Sequence, residues 1–140
     1  MAHEEDWPVV RRGNTDHDAF GAVTIIQHLL NAHGVHLDVD GVYGQLTEAG
    51  VRDFQQTRGL TADGIVGNQT WPVLIIQVAE GSRGDAVRAV QSAFPTLEVD
   101  GTYGPKTEQA VREFQEMFGP AVDGIVGPRT WFLIVIPKAE

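Results

Sequence analysis

The chain has 140 residues, a formal net charge of −9 and no cysteine. Disulfides and thiolate metal sites are therefore excluded, and the acidic balance argues against nucleic acid or an anionic membrane, which would call for a basic surface. The 42% hydrophobic and 21% charged residues are those of an ordinary globular protein, and no apolar run is long enough to cross a bilayer.

In chain order, Met1 to Asp6 is acidic, and residues 1–20 hold no apolar core of the signal-peptide kind. Trp7-Pro-Val-Val10 echoes Trp71-Pro-Val-Leu74 and reads as the end of a missing third helix. Val23, Ile26 and Leu30, at i, i+3 and i+7, predict a first helix near Ala19 to His33, stopped by Gly34. A second helix is predicted after Gly44, and a short third after Gly67 with Trp71 and Leu74 facing one way. The tail Leu74-Ile-Ile-Gln-Val78 is β-branched and reads as extended. Gln77 to Gly84 reads as a short linker. Then the pattern restarts. Val87, Val90 and Phe94 predict a helix that Pro95 ends early. Thr107, Val111, Phe114 and Phe118 mark a helix after Gly104, and Trp131 and Ile134 a short one after Gly127. Leu133-Ile-Val-Ile136 again reads as extended before Pro137.

The restart is a true internal repeat. Asp-Gly-x-x-Gly-x-x-Thr occurs four times, beginning at Asp40, Asp63, Asp100 and Asp123. The aspartates lie 23 apart within a pair, and the pairs lie 60 apart. Asp-Gly is a turn signal, and the second glycine, followed by Pro in the later pair, reads as a helix start. From Asp40 to Trp71 and from Asp100 to Trp131 the register never slips. Upstream, Val23-x-x-Ile26-Gln27 matches Val87-x-x-Val90-Gln91 at an offset of 64, and Gly13 matches Gly81 after a further change of four. The first copy is thus longer in two loops, where a binding surface could differ. A period of this length sets the architecture. Three helices are the fewest that enclose a core. The expected fold is all-α: two tandem three-helix bundles, residues 10–76 and 77–137, joined by a short linker.

The string Val-Asp-Gly-x-Tyr-Gly-x-x-Thr-Glu-x-x-Val-Arg-x-Phe-Gln, followed by Asp-Gly-Ile-Val-Gly-x-x-Thr-Trp, occurs in both copies. It resembles the bacterial peptidoglycan-binding domain of the three-helix type, over about residues 10–136. The resemblance implies a non-catalytic module that attaches cell-wall hydrolases and related proteins to murein. The implied partner is peptidoglycan, through its glycan strand or stem peptide, with no cofactor, metal, nucleic acid or membrane. A hydrolase or other cargo would sit on a parent or partner chain. The implied site of action is the cell wall or the exterior, by an export route that the chain does not display. Gln45 and Asn68 stand where Pro is usual, Pro72 stands where the second copy has Phe132, and Pro120 replaces a usual leucine.

Candidate ligand-binding residues fall in matching pairs. Asp40 and Asp100 suit either their own turns or a ligand, the turn being favoured. Tyr43 and Tyr103 sit at loop–helix junctions, where a ring with a polar tip suits sugar or peptide stacking or a core position with its hydroxyl outward. Trp71 and Trp131 suit stacking too, though their phase with the apolar stripe favours the core. Arg52 and Arg112 could grip a stem-peptide carboxylate, or pair with Glu48 and Glu108 at i,i+4, which is favoured. Gln55 and Gln115 bond loop backbone in preference to an acetamido group. If the tyrosine loops bind, the first copy, with its fuller turn, is the expected stronger binder.

Metal readings fare poorly. Aligning Gly41 with the glycine of an EF-hand loop places Thr47 where a bidentate glutamate belongs. His3, His17, His28, His33 and His36 have no counterparts in the second copy and read as a solvated face. A minimal amidase or peptidase would require a nucleophile with a base, or an open metal site, and neither Ser82 nor Ser92 has a base partner that recurs in the repeat. The remaining alternative is a protein-interaction or adaptor module on the same fold.

Overall fold

The computed structural model describes residues 6–119 and 121–137. Among these are seven helices and no strand: α1 Asp16–Ala19, α2 Ala22–Ala32, α3 Gln45–Thr57, α4 Trp71–Leu74, α5 Asp85–Ser92, α6 Pro105–Phe118 and α7 Pro128–Val135. The architecture is all-α and tandem. α2, α3 and α4 form the first bundle, and α5, α6 and α7 the second. None of the described helices is long and apolar enough to cross a membrane.

α2 is buried almost all round: Ala22, Val23, Ile25, Ile26, Leu29 and Leu30 are all inside. A helix in that state has neighbours on more than one side. Here one side closes the first bundle and another packs along α5, the most extensive helix–helix contact in the molecule. α5 answers with Ala86, Val87, Ala89 and Val90. The buried side chains of both copies consequently form one continuous cluster from Val10 to Val135.

The first helix, predicted near Ala19 to His33, is α2, and a separate one-turn helix, α1, precedes it. Thr15 and Asp18 close a capping box on α1, then Phe20 at φ 55° and Gly21 at φ 86° turn the chain before α2 begins. The four residues of α1 are the first of the two extra loops. Backbone pairing shows it: Asp16 N–H donates to Gly41 O, and Gly84 N–H makes the equivalent bond to Gly101 O. The predicted short third helix differs between copies. α7 starts at once with Pro128, whereas residues 68–70 turn first and α4 is one turn long.

The tail after α4 is extended, as read: Ile75 has φ −66° and ψ 149°. The tail Leu133 to Ile136 is corrected, since α7 is helical through Val135. Phe132, Ile134 and Val135 are buried there, and burial outweighs the strand preference of β-branched residues. The Trp7–Val10 echo is corrected as well. Residues 7–9 form no helix. Val10 pairs with Val66 as Val78 pairs with Val126. Trp71 Nε1–H donates to Pro8 O at 2.9 Å, and Trp131 Nε1–H to Ile76 O at 2.8 Å. Residues 8–10 thus do for the first copy what 76–78 do for the second. Trp7 itself stacks on Trp71 at 5.7 Å and meets Phe132 edge-on at 5.1 Å, bridging the copies. That contact accounts for Phe132 standing where the first copy has Pro72.

Candidate binding surface

Each Asp-Gly turn is built on one buried glutamine from a helix. Gln27 Nε2–H donates to Asp40 Oδ1, Val42 O and Thr47 Oγ1, at 3.0, 3.1 and 3.1 Å. Its Oε1 accepts from Asp40 N and Gly41 N. Gln55 makes the same three donations, to Asp63, Ile65 and Thr70, and accepts from Gly64 N–H. Gln91 does so with Asp100, Thr102, Thr107 and Gly101, and Gln115 with Asp123, Ile125, Thr130 and Gly124. An amide presents both donors and an acceptor, so one side chain satisfies the turn and the threonine that opens the helix. In every turn the aspartate's Oδ1 also accepts the N–H two residues on. The glycines have φ between 72° and 77°, which a side chain would strain.

The tyrosines tie each pair together. Tyr43 O–H donates to Gly64 O at 2.5 Å, and Tyr103 O–H to Gly124 O at 2.6 Å. Both rings are 1% exposed, and burial pushes both phenol pKa values up, with Glu48 and Glu108 adding to it. The stacking role considered for Tyr43 and Tyr103 is corrected: their faces lie in the core, hydroxyls included. Trp71 and Trp131 are fully buried, and Gln55 and Gln115 are spent on the clamp. The two tyrosines and two tryptophans offer no surface to a ligand, whereas Gln55 and Gln115 each edge a groove.

Four candidates remain at the surface. Asp40 and Asp100 are exposed. The Gln27 amide holds the Asp40 carboxyl below its ordinary pKa, followed by Val42 N–H; for Asp100 the order is Thr102 N–H, then Gln91. Asp123, with Ile125 N–H as chief cause, behaves alike. Arg52 lies 3.7 Å from Glu48 and donates to Ala62 O; Arg112 lies 3.1 Å from Glu108 and reaches Val122 O and Asp123 O. Both guanidinium groups are about half exposed yet already pinned over a turn.

Gln27, Gln91 and the motif threonines were missed as site-builders, although Gln lies 13, 8, 9 and 8 residues before the four aspartates. The irregular spacing hid the pattern, because the loops between helix and turn differ in length.

The histidine expectation holds only in part. His17 and His36 are exposed, and His3 lies outside the described residues. His33 is half-buried, bonding Leu74 O and Arg58. His28 is corrected. It is 8% exposed, with Nδ1 buried and unpaired. Burial lowers its pKa, partly opposed by Asp85 across the contact between copies and assisted by Arg88. Among the described residues no group of three or more His, Asp or Glu could hold a metal ion.

Beside three of the turns lie shallow grooves. One, of about 270 Å³, is lined by Gln77, Asp123, Ile125, Arg129 and Thr130. The matching groove of the first copy, at Asp63, Ile65, Asn68 and Thr70, is about 140 Å³. Another flanks Asp40, Val42 and Leu46.

A helical scaffold that repeats one polar clamp and leaves open grooves is a binding module in form. The family model described as "Putative peptidoglycan binding domain" matches residues 21–74 and 83–134, and the chain belongs to that family. It is similar to the N-acetylmuramoyl-L-alanine amidase CwlM of Mycobacterium tuberculosis, 36% identical over 90% of this chain and 37% of the relative. It is also similar to a zinc D-Ala-D-Ala carboxypeptidase of Streptomyces albus G, 44% identical over 39% of this chain and 24% of the relative. Among solved structures, a peptidoglycan-binding protein from Clostridioides difficile, in complex with glutamine hydroxamate, is 36% identical over 48% of this chain and 40% of that one, with a TM-score of 0.44. The chain spans well under half the length of these relatives.

Proposed function

We propose that this chain is a tandem murein-anchoring module that performs no chemistry itself and holds a hydrolase or other cargo at the wall. The observation that carries the reading is that both copies match the family and both build their turns on the same buried clamp. That clamp spends its polar groups on holding loops outward. The exposed Asp40, Asp100, Arg52 and Arg112 stay candidate ligand contacts, and the grooves at Asp63 and Asp123 join them. The amidase and carboxypeptidase relatives support a wall-lytic parent or partner, because this chain matches only a minority of each. The site of action would then be the cell wall or the exterior.

The test is co-sedimentation with purified sacculi, alongside dye release from labelled sacculi. The expected result is retention in the pellet with no release above buffer. A chain that stays in the supernatant would leave the adaptor reading standing; release that persists after repurification would make it an enzyme.

A further inference from the structure

Phe20 is the one described non-glycine residue with positive φ, at φ 55° and ψ 43°. That region crowds the Cβ of an L-residue, and for a bulky side chain it is a genuine outlier. The position is a helix C-cap, which glycine fills without strain. The ring gains nothing in return from the core, since Phe20 is 67% exposed. A strained backbone that holds an aromatic in water points to a function.

The surroundings narrow that function. Phe20 edges a groove of about 190 Å³ formed with Val9, Asn14 and Asp18 on one side and Val135 and Pro137 on the other. Both copies contribute, so the site exists only in the tandem arrangement. Asn14 uses Oδ1 to accept from Arg11 N, and Asp18 uses Oδ2 to accept from Thr15. Among the described residues, Asn14 Nδ2 and Asp18 Oδ1 have no hydrogen-bond partner. The groove therefore combines an aromatic face, an amide donor and a carboxylate acceptor, and no lysine or arginine lines it. That set suits a neutral polyhydroxylated ring, whose C–H face lies on the phenyl group while its hydroxyls meet the amide and carboxylate. A peptide carboxylate would be repelled by Asp18.

We infer that Phe20 is a saccharide platform and that the groove between Phe20 and Val135 takes a sugar ring of the glycan strand. This rests on the murein-anchoring reading and deepens it. The test pairs Phe20→Gly, which relaxes the backbone while removing the ring, with Phe20→Trp, which keeps a platform. Each is measured for thermal stability, retention on sacculi, and NMR shift changes with uncharged glycan strands of N-acetylglucosamine or with free stem peptides. The expectation is that Phe20→Gly folds at least as stably as wild type and loses about fivefold in retention, the scale of one aromatic contact. Phe20→Trp retains binding, and glycan strands but not stem peptides shift Asn14, Asp18 and Val135. If wild type binds sacculi and Phe20→Gly binds equally, or stem peptides cause the shifts, the inference is overturned while wall anchoring stands. If Phe20→Gly instead abolishes self-association in sedimentation, the face belongs to a second copy. If wild type itself is not retained, the anchoring reading falls and this inference with it.

Discussion

The two copies carry the same polar clamp and differ in what lies over it. A methyl placed on Gly41 would come within 2.6 Å of Asp16 Oδ2, and one on Gly101 within 2.9 Å of the Arg88 guanidinium. The same left-handed glycine thus sits under a carboxylate in the first copy and under a cation in the second. Asp16 itself is anchored by the N–H and hydroxyl of Thr24, Arg88 by Asp85 at 3.0 Å. The second turn of each copy, by contrast, has the same cover, since Gly64 meets Glu48 and Arg52, and Gly124 meets Glu108 and Arg112. The buried amide, which bonds the glycine N–H, the carbonyl two residues after the aspartate and the threonine of each turn, leaves little latitude. The roof, half in water, tolerates either charge.

The largest expected effect tests whether the copies are separable at all. Trp131→Ala and Trp71→Ala should each cost about 3–5 kcal/mol, the range for deleting a large buried ring. Because one cluster of buried side chains runs through both bundles, either variant should unfold in a single denaturant transition followed by CD. Two transitions, one at the wild-type midpoint, would show that the copies fold independently.

Next in size is the clamp. Gln27→Leu and Gln91→Leu each strand a buried turn N–H and a threonine hydroxyl, with an expected loss of about 2–3 kcal/mol. Equal losses in urea titrations would mean that the clamp works alike under either roof. A loss below about 1 kcal/mol in one copy alone would break the equivalence.

A smaller effect separates the copies by pH. His28 has Ser92 as its counterpart at the offset of 64. Its folded pKa lies below the ordinary 6.5, so the unfolded chain binds the extra proton first. Stability is therefore expected to decline as pH falls from 6.5 through the folded value. Arg88 disfavours the imidazolium and Asp85 favours it. His28→Ser should flatten that part of the profile; an unchanged slope would assign it to other groups. At more acid pH, Asp40, Asp100 and Asp123, lowered from 3.8, contribute stability that is present above 3.8 and lost as pH falls through their folded values.

The smallest expected effect is that of salt on wall retention. Exposed charges are screened within about 10 Å at 0.1 M salt, and an acidic chain has little bulk attraction to lose. Retention measured from low to moderate salt should stay nearly level. A collapse would point to Arg52, Arg112 and Arg129 as the carriers.

Turn chemistry and period were open to reading in one dimension. Four Asp-Gly motifs, the helices after Gly44 and Gly104, the i,i+4 pairs of Arg52 and Arg112, and the all-α tandem plan depend on neighbours a few residues apart, where glycine, proline and apolar spacing act directly. What the folded chain alone decided involves longer separations, from 9 residues between Gln91 and Asp100 to 63 between Pro8 and Trp71. Tyr43 and Trp71 could have faced out or in; they face in because Gly64 O and Pro8 O lie where their polar tips end. Helical α7 depended on burial that its β-branched sequence does not announce. Gln27 and Gln91 became the centre of their turns only when folding brought their amides to loops 13 and 9 residues away. The packing of α2 on α5, which left His28 unpaired and joined the two cores, is written in neither copy by itself, because each helix shows only that it is apolar and not what covers it.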